Sequence, residues 1–205
     1  RTIQGEGPLA GRPAVFIRLA GCNLACKFCD TEFESGTMQP WESVGTEAAA
    51  LAPSRWGEAL FVLTGGEPMR QDIRSLVDYL LKCGEVQIET AGTLWLNGLN
   101  KYAQLVISPK TGRLDPFAYA HASAFKYILR AGEVSEDDGL PNVMPTGVRG
   151  RVARPLADDA RPVYVQPCDD HELMRNKENL EATKESALKF GYRLSLQQHK
   201  ILKLP

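Results

Sequence analysis

Short apolar runs recur along this chain, and most are followed by a segment of helical period. Ala14-Val15-Phe16-Ile17-Arg18-Leu19 reads as a buried strand carrying one charge. Residues 59–63 form a second run, which delivers the turn Thr64-Gly65-Gly66-Glu67-Pro68. Further strands are expected at 86–90, at 105–108 (stopped by Pro109), at 124–129, at 163–166 and at 193–196. Between them, 42–51 suits a helix. Residues 72–82 place Ile73, Leu76, Val77, Leu80 and Leu81 on one stripe, with Asp72 as N-cap. Residues 172–190 form a long polar-faced helix ending at Gly191, a residue suited to the left-handed position past a helix.

Strands alternating with helices predict βα units on a parallel sheet, so the class is α/β. Six or seven strands are too few for a complete eight-stranded barrel and fit a partial, open TIM-like β/α barrel. Polar residues gather where the strands end: Thr64 to Glu67, Glu89, Ser108 to Lys110, and Gln166. Parallel sheets carry their active sites at that edge. Residues 135–162, rich in proline and glycine, read as a long irregular loop within a single domain spanning 1–205. Arg149, Arg151, Arg154 and Arg161 make the loop basic, which suits either solvation or the docking of an acidic electron donor. The chain starts at Arg1 inside motif-like residues, so an opening strand is expected to be missing.

Composition narrows the function classes. The 205 residues suffice for one domain with a sizeable core. A hydrophobic content of 43% and a charged content of 24% are those of a soluble globular protein. A net charge of −1 supplies no general attraction to nucleic acid or to a membrane surface. No apolar run approaches the roughly 20 residues of a membrane helix, and the N-terminal stretch does not read as a secretory signal. A cytoplasmic protein is expected.

Five cysteines are present, three of them in Gly-Cys22-Asn-Leu-Ala-Cys26-Lys-Phe28-Cys29-Asp-Thr. They are too close together for a disulfide framework and favour metal. The CxxxCxxC spacing places three thiolates around one inorganic core. Cubane clusters normally take four, so three leave one iron open to another ligand. Zinc, or a closed electron-transfer cluster, would need a distant fourth ligand such as Cys168 or His199. Phe28 can cover one side of a cluster, and Gly66 permits close backbone approach. Cys83 reads as a small core residue after a helix, and His121 and His171 as loop residues.

CxxxCxxC with an aromatic before its third cysteine, followed by Gly-Gly-Glu-Pro, resembles the radical S-adenosylmethionine (SAM) superfamily. The resemblance implies a 4Fe–4S cluster on Cys22, Cys26 and Cys29 whose open iron chelates SAM. Gln4-Gly5-Glu6-Gly7, Arg18, Asp30-Thr31 and the C-terminal His199 and Pro205 extend it to the 7-carboxy-7-deazaguanine synthase family over nearly the whole chain. That family implies a pterin substrate, Mg2+, a flavodoxin- or ferredoxin-type electron donor and a homodimer.

The family places Ile3, Gln4, Gly5, Glu6, Arg18, Thr64, His199 and the carboxylate of Pro205 at the substrate. Arg18 can fork onto a carboxylate or pair with Glu6. SAM would be met by Phe28, Asp30, Gly65, Gly66, Glu67, Glu89, Ser108, Pro109, Lys110 and the run Gln166-Pro167-Cys168-Asp169; Asp30 can alternatively cap its own turn. Thr31 would offer a hard oxygen to Mg2+. Two departures stand out: Ala91 occupies a position where asparagine is expected, and 32–57 is short for a segment that binds substrate in some relatives. A glycyl-radical activase and a non-enzymatic iron–sulfur or zinc module are the competing readings.

Overall fold

The computed structural model describes residues 1–53, 59–148 and 150–204. Among them, one sheet holds eight strands in chain order: β1 (Thr2–Ile3), β2 (Pro13–Leu19), β3 (Leu60–Gly65), β4 (Glu85–Thr90), β5 (Gln104–Ile107), β6 (Ala122–Leu129), β7 (Val163–Pro167) and β8 (Arg193–Leu194). β1 runs antiparallel to β2, and every later pairing is parallel. The order ends at β1 and β8 without joining them, so the barrel is open. The helices are α1 (Trp41–Ala50), α2 (Arg74–Leu80), α3 (Pro116–His121), α4 (Leu173–Phe190) and α5 (Gln198–Ile201).

The alternation within strands sorts two faces. Val15, Ile17, Phe61, Leu63, Ile88, Leu105, Ile107, Phe125, Tyr127 and Val165 share one core with Leu76, Val77 and Leu80 of α2. Residues of the opposite parity face the other way. Ala14, Leu60 and Val62 form a small second cluster there, beneath Phe16 and Leu9. Farther along the same face come Arg18, Thr64, Glu89, Lys126 and Gln166. This face therefore changes from apolar to charged toward the strands' C-terminal ends.

Several boundaries differ from expectation. Ile73, not Asp72, is the N-cap of α2, although Asp72 Oδ1 still accepts from the Arg74 backbone N–H at 3.3 Å. β8 pairs for two residues only, because the chain then turns into α5. β1, α3 and α5 are too short to carry a period, and none was expected as an element in this part of the chain. His121 closes α3 and stacks on Trp95 with ring centroids 4.4 Å apart, so it is not a loop residue. Gly191 ends α4 in the left-handed region at φ 75°. Cys83 packs against the main core after α2.

Residues 135–162 contain no helix or strand among those described. Their arginines are largely neutralised at home. Arg151 pairs with Asp137, Arg154 with Asp138 at 2.9 Å, and Arg161 with Asp159 at 2.5 Å. That weakens the donor-docking reading of the loop; Arg149 lies outside the described residues.

Candidate active site

A cleft of about 840 Å³ opens at the C-terminal edge of the sheet. Cys22, Cys26, Phe28, Cys29, Asp30 and Thr31 border it from the loop after β2. Thr64, Gly65, Gly66 and Glu67 border it from the end of β3, and Glu89, Ser108 and Lys110 from the ends of β4 and β5. Gln166, Pro167, Cys168 and Asp169 follow β7, Ile3, Gln4 and Glu6 come from the N-terminal segment, and His199 from α5. Arg18 completes this set.

The cysteine loop is seated by the glycine turn. Gly66 N–H donates to Leu19 O and Glu67 N–H to Gly21 O, both at 2.9 Å. Arg70 Nη1 adds a bond to Cys22 O at 3.0 Å, and Gln71 Nε2 one to Ala20 O at 2.8 Å. Only glycine fits here: a Cβ on Gly66 would lie 2.0 Å from Gly21 O, and one on Gly65, at φ 117°, would lie 2.3 Å from Leu19 O. Burial pushes the Cys26 thiol up, against the pull of Lys110. Lys110 Nζ donates to Ser108 Oγ at 2.7 Å and stands 5.7 Å over the Phe28 ring; burial lowers its affinity for the proton.

Glu67 holds the turn from beneath. Its residue is 1% exposed. Oε1 accepts from Met69 N–H at 3.1 Å and from the Thr90 hydroxyl at 2.7 Å, and Oε2 accepts from Ala91 N–H at 2.8 Å. Burial raises its carboxyl, and these bonds only partly offset that. The carboxylate is thus used inside the protein and braces the end of β4, while Glu67 still borders the cleft.

A buried ionic network crosses the cleft floor. Lys126 Nζ pairs with Glu6 Oε2 and lies 3.5 Å from Glu89 Oε2. Glu89 Oε1 accepts from Gln4 Nε2 at 3.0 Å and from Gln87 Nε2 at 3.1 Å. Burial alone would raise the Glu6 carboxyl; Lys126, with bonds from Gln197 and Gln166, overcomes this and holds it at about 2. Burial likewise works against the Lys126 charge, and the two carboxylates more than restore it. Of the two alternatives for Arg18, the pair with Glu6 is therefore not formed. Arg18 is exposed, and its guanidinium lies 5.7 Å over the Phe16 ring.

The C-terminal segment closes one side. His199 rests on Gly5 so closely that a Cβ there would lie 2.3 Å from its Nδ1. Gly5 itself does not border the cleft. Lys200 Nζ reaches Asp169 Oδ2 at 2.7 Å and Asp30 Oδ2 at 3.3 Å, and Gln197 Nε2 also reaches Asp30 at 3.3 Å. Asp30 thus bonds across to α5 instead of capping its own turn. The Thr31 hydroxyl donates to Asp30 Oδ1 at 3.5 Å. Burial pushes the Cys168 thiol up to about 12.

Pro109 is buried beside the cleft, not on it, and Pro205 lies outside the described residues. Lys126, Gln197, Lys200 and Thr90 border the cleft without having been singled out. A signal existed for Lys126, the lone charge in an otherwise apolar strand.

Among the described residues, no group of three or more His, Cys, Asp or Glu side chains is gathered about one point as a single metal ion requires. A cubane is a larger body whose thiolates each bind a separate iron. Three free thiols on one rim, beside a turn with bare backbone and a cleft of this size, fit a cluster with a small molecule bound next to it. No helix among the described residues is long and apolar enough to cross a membrane.

No protein-family model matches the chain. Over 214 residues it is 46% identical to a protein named 7-carboxy-7-deazaguanine synthase from Rhodospirillum rubrum, with 99% of this chain and 89% of that one covered. A protein of the same name from Rickettsia prowazekii is 40% identical over 211 residues, with 98% and 85% covered. In fold the chain is similar to the crystal structure of QueE from Escherichia coli. There the TM-score is 0.69 at 23% identity, over 96% of this chain and 90% of that one.

Proposed function

The chain belongs to the 7-carboxy-7-deazaguanine synthase family, and we propose that it converts 6-carboxy-5,6,7,8-tetrahydropterin into 7-carboxy-7-deazaguanine with loss of ammonia. Hydrogen abstraction from carbon 6 starts the ring contraction. The observation that carries this reading is the convergence of the cysteine triad, the glycine turn and the Gln4–Glu6 segment on one cleft. Family membership sets aside the activase and binding-module alternatives.

When bound, a 4Fe–4S cluster on Cys22, Cys26 and Cys29 together with SAM supplies the hydrogen-abstracting 5′-deoxyadenosyl radical. Gly65 and Gly66 would leave room for the amino-acid end of SAM, Ser108 and Lys110 would meet its ribose and methionine end, and the Gln166–Asp169 run would meet its adenine. Glu89 is already held by Gln4, Gln87 and Lys126, and has capacity left for a further donor such as a ribose hydroxyl. Arg18 is exposed on the cleft with no ion pair among the described residues, which suits the substrate carboxylate. Gln4, Thr64 and His199 offer donors and acceptors to the pterin edge. Thr31 would lend a hydroxyl to Mg2+, which takes few protein ligands. A flavodoxin- or ferredoxin-type donor, a homodimer and a cytoplasmic setting complete the proposal.

Anaerobic reconstitution tests it. Four irons per chain, 5′-deoxyadenosine on reduction with SAM, and 7-carboxy-7-deazaguanine from the pterin are expected. Cleavage of SAM without the deazaguanine product would reject the substrate assignment.

A further inference from the structure

Lys126 stands in the middle of β6, 5% exposed, and has no part in the chemistry described above. Its ammonium sits where three segments meet. Glu6 joins it to the N-terminal segment, whose Glu6 N–H also donates to Gln4 Oε1 at 3.1 Å. Glu89 joins it to β4 and, through Gln4 Nε2, back to the same segment. Gln197 Nε2, donating to Glu6 Oε1 at 2.9 Å, brings in the residue before α5. β1 is only two residues long. Backbone bonds from Gln4 N–H to Arg12 O at 2.8 Å and from Gly11 N–H to Gln4 O at 2.7 Å fix the main chain just past it, and the side-chain bonds set where the Gln4 amide and the Glu6 carboxylate stand.

A buried ion pair is often no more stabilising than a packed hydrophobe, so stability alone gives little reason for a lysine here. Position gives a better one. Lys126, Glu6, Glu89 and Gln4 all border the cleft. We propose that Lys126 is a positioning residue that fixes Gln4 and Glu6 against Glu89, so that the pterin side and the nucleoside side of the cleft keep one register. This inference rests on the reaction proposed above.

The test is Lys126→Met in the reconstituted enzyme; methionine has a similar unbranched length and no charge. Displacing the binding segment should raise the pterin KM, and its Kd by anaerobic calorimetry, by about tenfold or more. The kcat, and SAM cleavage without pterin, should stay within about threefold. Unchanged KM and Kd would overturn the proposal. So would a parallel loss of SAM cleavage, which marks general collapse. Should Lys126→Met not fold, Glu6→Gln is compared with Glu6→Gln/Lys126→Met. A KM equal within about twofold supports action through Glu6, and a further tenfold rise overturns it. Wild-type protein that binds the pterin without converting it would remove the reaction assignment, while the calorimetric arm would still report on Lys126.

Discussion

The carboxylate of Glu67 accepts the Thr90 hydroxyl at 2.7 Å, so the acidic residue of the glycine turn is tied to the end of the neighbouring strand. Glu67→Ala would strand three donors, two of them buried, Thr90 Oγ1 and the Met69 N–H, and one half-buried, the Ala91 N–H. Hydrogen bonds to a carboxylate are worth more than neutral ones, and unmade buried ones are costly, so a loss of about 3 kcal/mol is expected. Urea unfolding of the cluster-free protein measures it. A loss below about 1 kcal/mol would mean that Glu67 is not the brace.

Gly66→Ala should cost the cluster more than the fold. Its Cβ would meet Gly21 O at 2.0 Å, where backbone on both sides leaves nothing flexible to give way. The loop bearing Cys22 should lift from the turn. Iron content after reconstitution should fall to under half of wild type, with the far-ultraviolet circular dichroism retained. Full iron uptake would contradict the seating described above.

Acid stability should depend on Glu6. Its carboxyl lies at about 2 when folded, against an ordinary value of 4.5. A depressed carboxyl contributes stability that is complete above the unfolded value and is lost as pH falls through the folded one. The wild-type protein should therefore lose stability from this group as pH falls from about 4.5 to 2. Glu6→Gln should flatten unfolding free energy over that window. Identical slopes would show that Lys126 does not act on this carboxyl.

Gly5→Ala should impair the site from outside the cleft. The added methyl would press on His199 Nδ1 at 2.3 Å and push α5 outward. The pterin KM should rise about tenfold, and SAM cleavage without pterin should be spared. Normal KM values would show that α5 yields without consequence.

Much of the site was legible because its signals are local. Cys22, Cys26 and Cys29 are bound to share a small region by their spacing, and Gly65-Gly66 announces a turn whatever surrounds it. The apolar run of β3 placed Thr64 at the polar edge, and Arg18 stood out as the one charge in β2. Arg18 and Lys126 are each the one charge in an apolar strand, yet only Arg18 drew attention, with Glu6 as one of its two candidate partners. Alternation tells which face a side chain takes and says nothing about its partner across the sheet. Motif position was equally silent on the Glu67 carboxylate, which the fold uses internally.

The amino-acid order alone settled the α/β class, the polar C-terminal edge and the closeness of the three cysteines, because these follow from chain spacing and strand period. Tertiary structure alone decided that Glu6 meets Lys126, that His199 rests on Gly5, and that Lys200 links Asp30 to Asp169. Those pairs are separated by 120, 194, 170 and 31 positions along the chain, respectively for Glu6–Lys126, Gly5–His199, Asp30–Lys200 and Asp169–Lys200. At such separations, sheet register and the paths of the loops determine which side chains come into contact.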